Sequence, residues 1–125
     1  MEKEGLLKDI GEIFTYAERG RNSYNPEYKR GTFNWIERGC YNIIYKHPCY
    51  GCTSIEGRRF LMKLKGEDTS IIDWATHVLF CVAMGRKAYT YAEFNIYFED
   101  IMMTQEEIYS KLGLPKIRRK EEFKQ

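Results

Sequence analysis

The chain carries almost no surplus of charge. Its 20 Lys and Arg stand against 18 Asp and Glu, a formal net charge of +2. So small a surplus argues against a nucleic-acid partner, which calls for a concentrated basic face. Long apolar runs are absent too, and none approaches the roughly 20 residues of a membrane-spanning helix. The opening Met-Glu-Lys-Glu-Gly lacks the apolar stretch of a secretory signal. A soluble cytoplasmic protein with no membrane partner is therefore the expectation. No internal repeat and no low-complexity segment breaks the sequence. Disulfides are not expected of the four cysteines, because nothing signals an oxidising compartment.

What is present fits one packed domain. A chain of 125 residues is one domain's length. Hydrophobic residues at 43% predict a core rather than disorder. Ten tyrosines favour amphipathic surfaces, such as a subunit interface or a wall on which a base stacks.

Helix starts recur along the chain. Thr53-x-x-Glu56, Ser70-x-x-Asp73, Thr90-x-x-Glu93 and Thr104-x-x-Glu107 all have the spacing of a capping box. The fold class expected is all-α, a small bundle of about five to six helices. The first helix runs from about Lys3 to Arg19, with Leu6, Leu7, Ile10, Ile13, Phe14 and Ala17 as its apolar stripe. Residues 20–31, rich in Asn, Ser, Pro and Gly, read as a loop. Residues 32–52 are ambiguous. Phe33, Ile36, Cys40, Ile43 and Ile44 suit a helix, Phe33 and Trp35 alternate like a strand, and Pro48 to Gly51 is a turn. A helix after Thr53 would turn Ile55, Phe60, Leu61 and Leu64 inward and end at Gly66; Phe60, Met62 and Leu64 also alternate like a strand, but the capping box and Gly66 mark two ends at helical length. Ser70 to Met84 is the most apolar helix and is expected at the centre. Helices over Tyr91 to Met103 and Gln105 to Leu112 follow, stopped by Gly113 and Pro115. The organisation expected is one domain over 1–125. It has a core over 1–85, C-terminal helices over 90–113 for homo-oligomer contacts, and a charged tail over 115–125.

The stretch from Arg59 to His77 concentrates chemistry. Arg59 and Lys63 lie four apart on one helix, and Asp73 and His77 lie four apart on the next. Glu67 and Asp68 sit at the turn between them. Carboxylates of this kind suit Mg²⁺ or Mn²⁺, held by one or two acids plus substrate phosphates. The candidate metal ligands are Glu67, Asp68 and Asp73. Arg59 and Lys63 would neutralise phosphate, and His77 would orient the site or relay a proton. Equally, these residues form a salt-bridged hairpin with acids at a helix N-terminus.

Three ordered blocks resemble the phage-type dATP/dGTP diphosphohydrolases, which are related to the MazG-like all-α nucleotide pyrophosphohydrolases. The first is I-F-T-Y-A-E at Ile13 to Glu18, followed by K-R-G-T-F-N-W-I-E-R-G at Lys29 to Gly39. The latter is similar to the family's K-Y-G-x-x-N-W-x-x-G, with Arg30 in place of the tyrosine. The second, R-F-L-M-K-L-K-G-E-D at Arg59 to Asp68, is similar to R-H-L-x-x-x-x-x-G-E-D, with Phe60 for the histidine. The third, D-W-A-T-H-V-L-F-C from Asp73, is similar to H-L-A-H-x-x-x-N. His77 matches the second histidine there, and Cys81 replaces the asparagine. The resemblance covers about residues 13–84. It implies hydrolysis of a purine deoxynucleoside triphosphate to monophosphate and pyrophosphate, with a divalent metal, within an oligomer and in a host cytoplasm. It also implies that Lys29 contacts phosphate, that Asn34 and Trp35 help form the base and sugar pocket, and that Glu67, Asp68 and His77 are catalytic.

Two other signals point elsewhere. Cys40, His47, Cys49 and Cys52 fall close together and suggest a structural Zn²⁺ site, although a second CxxC is missing. Cys81, within V-L-F-C-V-A-M, reads instead as a small core residue. Thr104 to Lys116 resembles the start of a DNA-binding helix-turn-helix. Either would suit a small non-enzymatic phage-type regulator.

Overall fold

Asn25 and Pro26 begin a helix where a longer loop is expected. The Asn25 Oδ1 accepts from the backbone N–H of Glu27 at 2.9 Å and of Tyr28 at 3.2 Å. Pro26 takes the first helical position, where its missing N–H costs nothing. The connection from the preceding helix shrinks to residues 23–25, with Asn25 N–H also bonded to Ser23 Oγ. Asn and Pro here signal a cap rather than an extended loop.

This computed structural model describes residues 3–46 and 54–113. Six helices lie among them: α1 (Lys3–Asn22), α2 (Pro26–Lys46), α3 (Ile55–Leu64), α4 (Ser70–Gly85), α5 (Tyr91–Met102) and α6 (Gln105–Lys111). No strand occurs among the described residues. The ambiguous segment from Thr32 is thus helical as far as Lys46, and Phe33 and Trp35 lie on different faces of it. Phe33 is fully buried whereas Trp35 is 54% exposed. The turn expected at 48–51 lies outside the described residues.

Side-chain periodicity sets the packing. Leu6, Ile10, Ile13, Phe14 and Ala17 of α1 are buried, as the stripe predicts. On α2, Phe33, Ile36, Cys40, Ile43 and Ile44 recur at helical spacing on the inner face. The two helices pack along each other, α1 also meets α5, and α4 fills the space against α2 and α5. Most of α4 is apolar, with Ile71, Ile72, Trp74, Ala75, Val78, Cys81 and Val82 buried. It is the central helix that its composition predicts. Gly85 lets α4 approach α2, because a Cβ there would lie 2.3 Å from the Phe33 ring. Phe33 in turn stacks on Phe98 of α5, with centroids 4.3 Å apart.

The capping boxes form less often than their spacing suggests. Thr90 and Glu93 make theirs, with Glu93 N–H bonded to Thr90 Oγ1 at 3.1 Å. Ser54 caps α3, accepting from Gly57 N–H at 3.0 Å, and Thr53, the cap expected from the spacing, lies outside the described residues. Thr104 makes no cap bond, because its hydroxyl accepts from Trp74 Nε1 at 2.8 Å and donates to the Ile101 carbonyl. The end of α3 follows prediction. Gly66, at φ +73°, lets its own N–H reach the Lys63 carbonyl and that of Glu67 reach the Met62 carbonyl.

On α3 the rotation differs from expectation. Met62 is buried, while Phe60 and Leu64 are exposed. Arg59 pairs with Asp73 of α4, and the Arg58 guanidinium lies 4.6 Å from the Tyr45 ring. These contacts turn Met62 inward and leave Phe60 outside.

Lys29 joins three helices. It is only 1% exposed. Its ammonium donates to the Gly20 carbonyl at 2.9 Å, the Arg21 carbonyl at 3.1 Å and Asn95 Oδ1 at 2.7 Å. The rings of Tyr91 and Phe98 flank it. Replacing Lys29 with Met strands these acceptors, so urea unfolding should show a loss of about 2 kcal/mol. A loss below about 0.5 kcal/mol would remove Lys29 from the role of clamp.

Candidate functional site

The turn between α3 and α4 orders its acids by local bonds. Asp68 Oδ1 accepts from Ser70 N–H at 3.0 Å and from Ser70 Oγ at 2.7 Å. These bonds hold the Asp68 carboxyl below its usual range, with Lys111 adding a smaller pull. Asp73 Oδ1 accepts from Arg59 Nε at 2.5 Å and Oδ2 from Thr69 Oγ1 at 2.9 Å. Asp73 therefore closes no capping box with Ser70. It ties the end of one helix to the start of the next. His77 is exposed one turn further along α4, with Cys81 Sγ 3.8 Å from its Nε2.

Between α4 and α6 lies a cleft of about 300 Å³. Ser70, Asp73, Trp74 and His77 form one wall, and Thr104, Glu107, Ile108 and Lys111 form the other. The Trp74–Thr104 hydrogen bond pins α6 at its start. The edge contact of Tyr109 with Phe14, at 5.9 Å between centroids, holds it further along. Lys111 pairs with Glu107 at 2.9 Å. The pair raises the proton affinity of Lys111, to which Asp73 and Asp68 add, and keeps the Glu107 carboxyl below its usual range. Glu107 enters the sequence reading only as a cap acid, and Lys111 not at all. Their spacing of four is the one signal of a shared face.

The remaining candidates lie elsewhere. Glu67, Lys63 and Arg59 are exposed around the turn and do not line the cleft. Lys29 spends its three donors inside the bundle and has none left for phosphate. Asn34 is engaged by Arg86, whose Nε and Nη2 donate to Asn34 Oδ1 at 3.1 and 2.6 Å. The same guanidinium forms a two-pronged pair with Glu37, both contacts at 2.8 Å. Trp35 stacks on Tyr16, with Arg38 over its ring, and presents an aromatic surface to solvent. Arg86 caps the far end of α4. It lies thirteen positions beyond Asp73, about 20 Å along a helix axis. Within one chain the residues expected to hold the base and those expected to do the chemistry form two separate clusters.

A larger groove, about 900 Å³, runs along α1 past Leu7, Gly11, Glu18, Tyr28 and Tyr109. None of the candidate site residues lines it. Among the described residues no three His, Cys, Asp or Glu side chains converge to hold a metal ion. Glu67, Asp68 and Asp73 thus do not form a ready cage. Cys40 is buried in the core, and burial pushes its thiol far above its usual range. His47, Cys49 and Cys52, the other candidate zinc ligands, lie outside the described residues. So does the would-be recognition helix of a helix-turn-helix. No described helix is long and apolar enough to cross a membrane.

No protein-family profile, curated protein or solved structure matches the chain.

Two variants probe these clusters. Trp74→Phe removes the donor to Thr104, worth about 1 kcal/mol. Amides of α6 should then exchange with solvent about fivefold faster while those of α1 and α2 stay unchanged. Equal exchange in α6 would show that the bond does not hold it. Arg86 depresses the Glu37 carboxyl. A group with a lowered folded-state value stabilises above its unfolded value and loses that effect as pH falls through the folded one. Glu37→Gln should melt below the wild type at about pH 7, and the gap should close toward about pH 2. A gap that holds at every pH would rule out this ion pair as its source.

Proposed function

We propose that the chain hydrolyses a purine deoxynucleoside triphosphate to the monophosphate and pyrophosphate. The observation that carries this reading is the α4–α6 cleft. It unites Asp73 and His77, both from the third resembling block, in one concave surface with a further acid. The all-helical fold is compatible with the family that the three blocks resemble.

The substrate would arrive as its Mg²⁺ complex. Such an ion keeps most of its ligands as phosphate oxygen and water, and asks the protein for one or two carboxylates rather than a closed cage. The scattered acids of the turn suit that demand better than they suit a resident metal. Water would attack the α-phosphorus, and the bond from that phosphorus to the bridging oxygen of pyrophosphate would break. His77, exposed in the same cleft as Asp73, would take the proton of the attacking water. Arg59 and Lys63, one turn apart on α3 and outside the cleft lining, would be the cations for the displaced phosphates. Asn34 and Trp35 would take part only across a subunit boundary or after a shift of helices.

Incubating the protein with Mg²⁺ and each deoxynucleoside triphosphate in turn, and assaying pyrophosphate, tests this reading. Release is expected from a purine substrate. His77→Gln should lower it about a hundredfold with an unchanged melting temperature. No release from any of the triphosphates by folded protein would sink the proposal. Tight nucleotide binding without turnover would instead identify a sequestering protein.

A further inference from the structure

Helix α6 lies beyond the region of resemblance, yet it supplies half of the cleft. Glu107 and Lys111 share one face of it, opposite Asp73 and His77. The two are bonded to each other, but both remain open, with side chains 66% and 56% exposed. An ion pair so exposed is weak and exchanges readily with solutes. Lys111 also lies in the field of Asp68 and Asp73. One ammonium thus faces several carboxylates at the mouth of a cavity. A polyphosphate entering there would compete with Glu107 for the cation.

We propose that Lys111 grips the phosphates of the incoming triphosphate and that Glu107, displaced from Lys111, becomes an acid-base group of the site beside Asp73 and His77. This rests on the hydrolase reading above and extends it to a helix that the resemblance does not reach. Glu107 would take on from His77 the proton that His77 has accepted from the attacking water. Lys111 would stay protonated throughout. A purely structural pair would only support the helix, as oppositely charged residues four apart commonly do.

Steady-state pyrophosphate release by full-length variants separates these roles. Lys111→Met should raise KM about tenfold, the loss of one charge-assisted contact, with kcat little changed. Lys111→Arg should restore most of that loss. Glu107→Gln should lower kcat about a hundredfold with KM nearly unchanged. Glu106→Gln, which does not line the cleft, should alter neither. Melting temperatures measured alongside identify any variant that fails to fold, and Glu107→Asp, which keeps the charge, then serves in its place. An active wild type whose Lys111→Met and Glu107→Gln forms stay within about twofold in both constants overturns the inference and leaves the hydrolase reading standing. If the wild type releases no pyrophosphate, the hydrolase reading falls and with it the role of Glu107. The grip of Lys111 is then read by calorimetric titration of inorganic triphosphate with Mg²⁺. Binding weakened at least about fivefold by Lys111→Met supports it. Equal binding, or none by the wild type, overturns it.

Discussion

A buried ammonium with no carboxylate partner among the described residues organises this bundle. Removing such a charge from water is expensive unless acceptors surround it. Lys29 finds them in the last turn of α1, whose carbonyls carry partial negative charge, and in Asn95 of α5. The rings of Tyr91 and Phe98 add their electron-rich faces. Meeting this demand holds the end of α1, the start of α2 and the middle of α5 in one arrangement. The short 23–25 connection fits the same constraint, as does the bond from the Tyr91 hydroxyl to the Tyr24 carbonyl. Beside this knot Phe33 stacks on Phe98, and Gly85 gives Phe33 its space. Arg86 then ties the end of α4 to Asn34 and Glu37 of α2. One end of the molecule is thus cross-braced by buried and two-pronged contacts.

The other end is built differently. Both α3 and α6 touch α4 lightly, through an exposed ion pair in one case and a single indole hydrogen bond in the other. Low contact density makes such elements the first to open. The cleft lies at this end, where a site can admit a charged ligand without disturbing the core. The exposed Phe60 and Leu64 of α3 belong to the same region. This division, a braced end and a lightly held end, gives the site its setting.

Much of the fold is legible in the sequence. The α1 stripe, the apolar α4 and the Gly66 stop each rest on local rules that packing does not overrule. Where reading and structure part, a tertiary contact has won. Thr104 has the spacing of a cap, but the indole of Trp74, thirty positions away, claims its hydroxyl. Asp73 likewise answers to Arg59 and Thr69 rather than to Ser70. The rotation of α3 follows from ion pairing and cation–π contact, which periodicity does not register. For the site, sequence brings Asp73 and His77 to one helix face. It has no means of adding Glu107 and Lys111, because their place opposite that face depends on how α6 folds back.

By itself, then, the sequence determined the helical class, the central place of α4 and the concentration of charge from Arg59 to His77. These follow from periodicity, composition and glycine, which act over a few residues. Only the tertiary structure decided that Lys29 is a buried clamp, that Asn34 is engaged at the far end of α4, and that α6 closes the cleft. Each of those depends on which distant group supplies the missing hydrogen bond or counter-charge, and that choice is made when the helices pack.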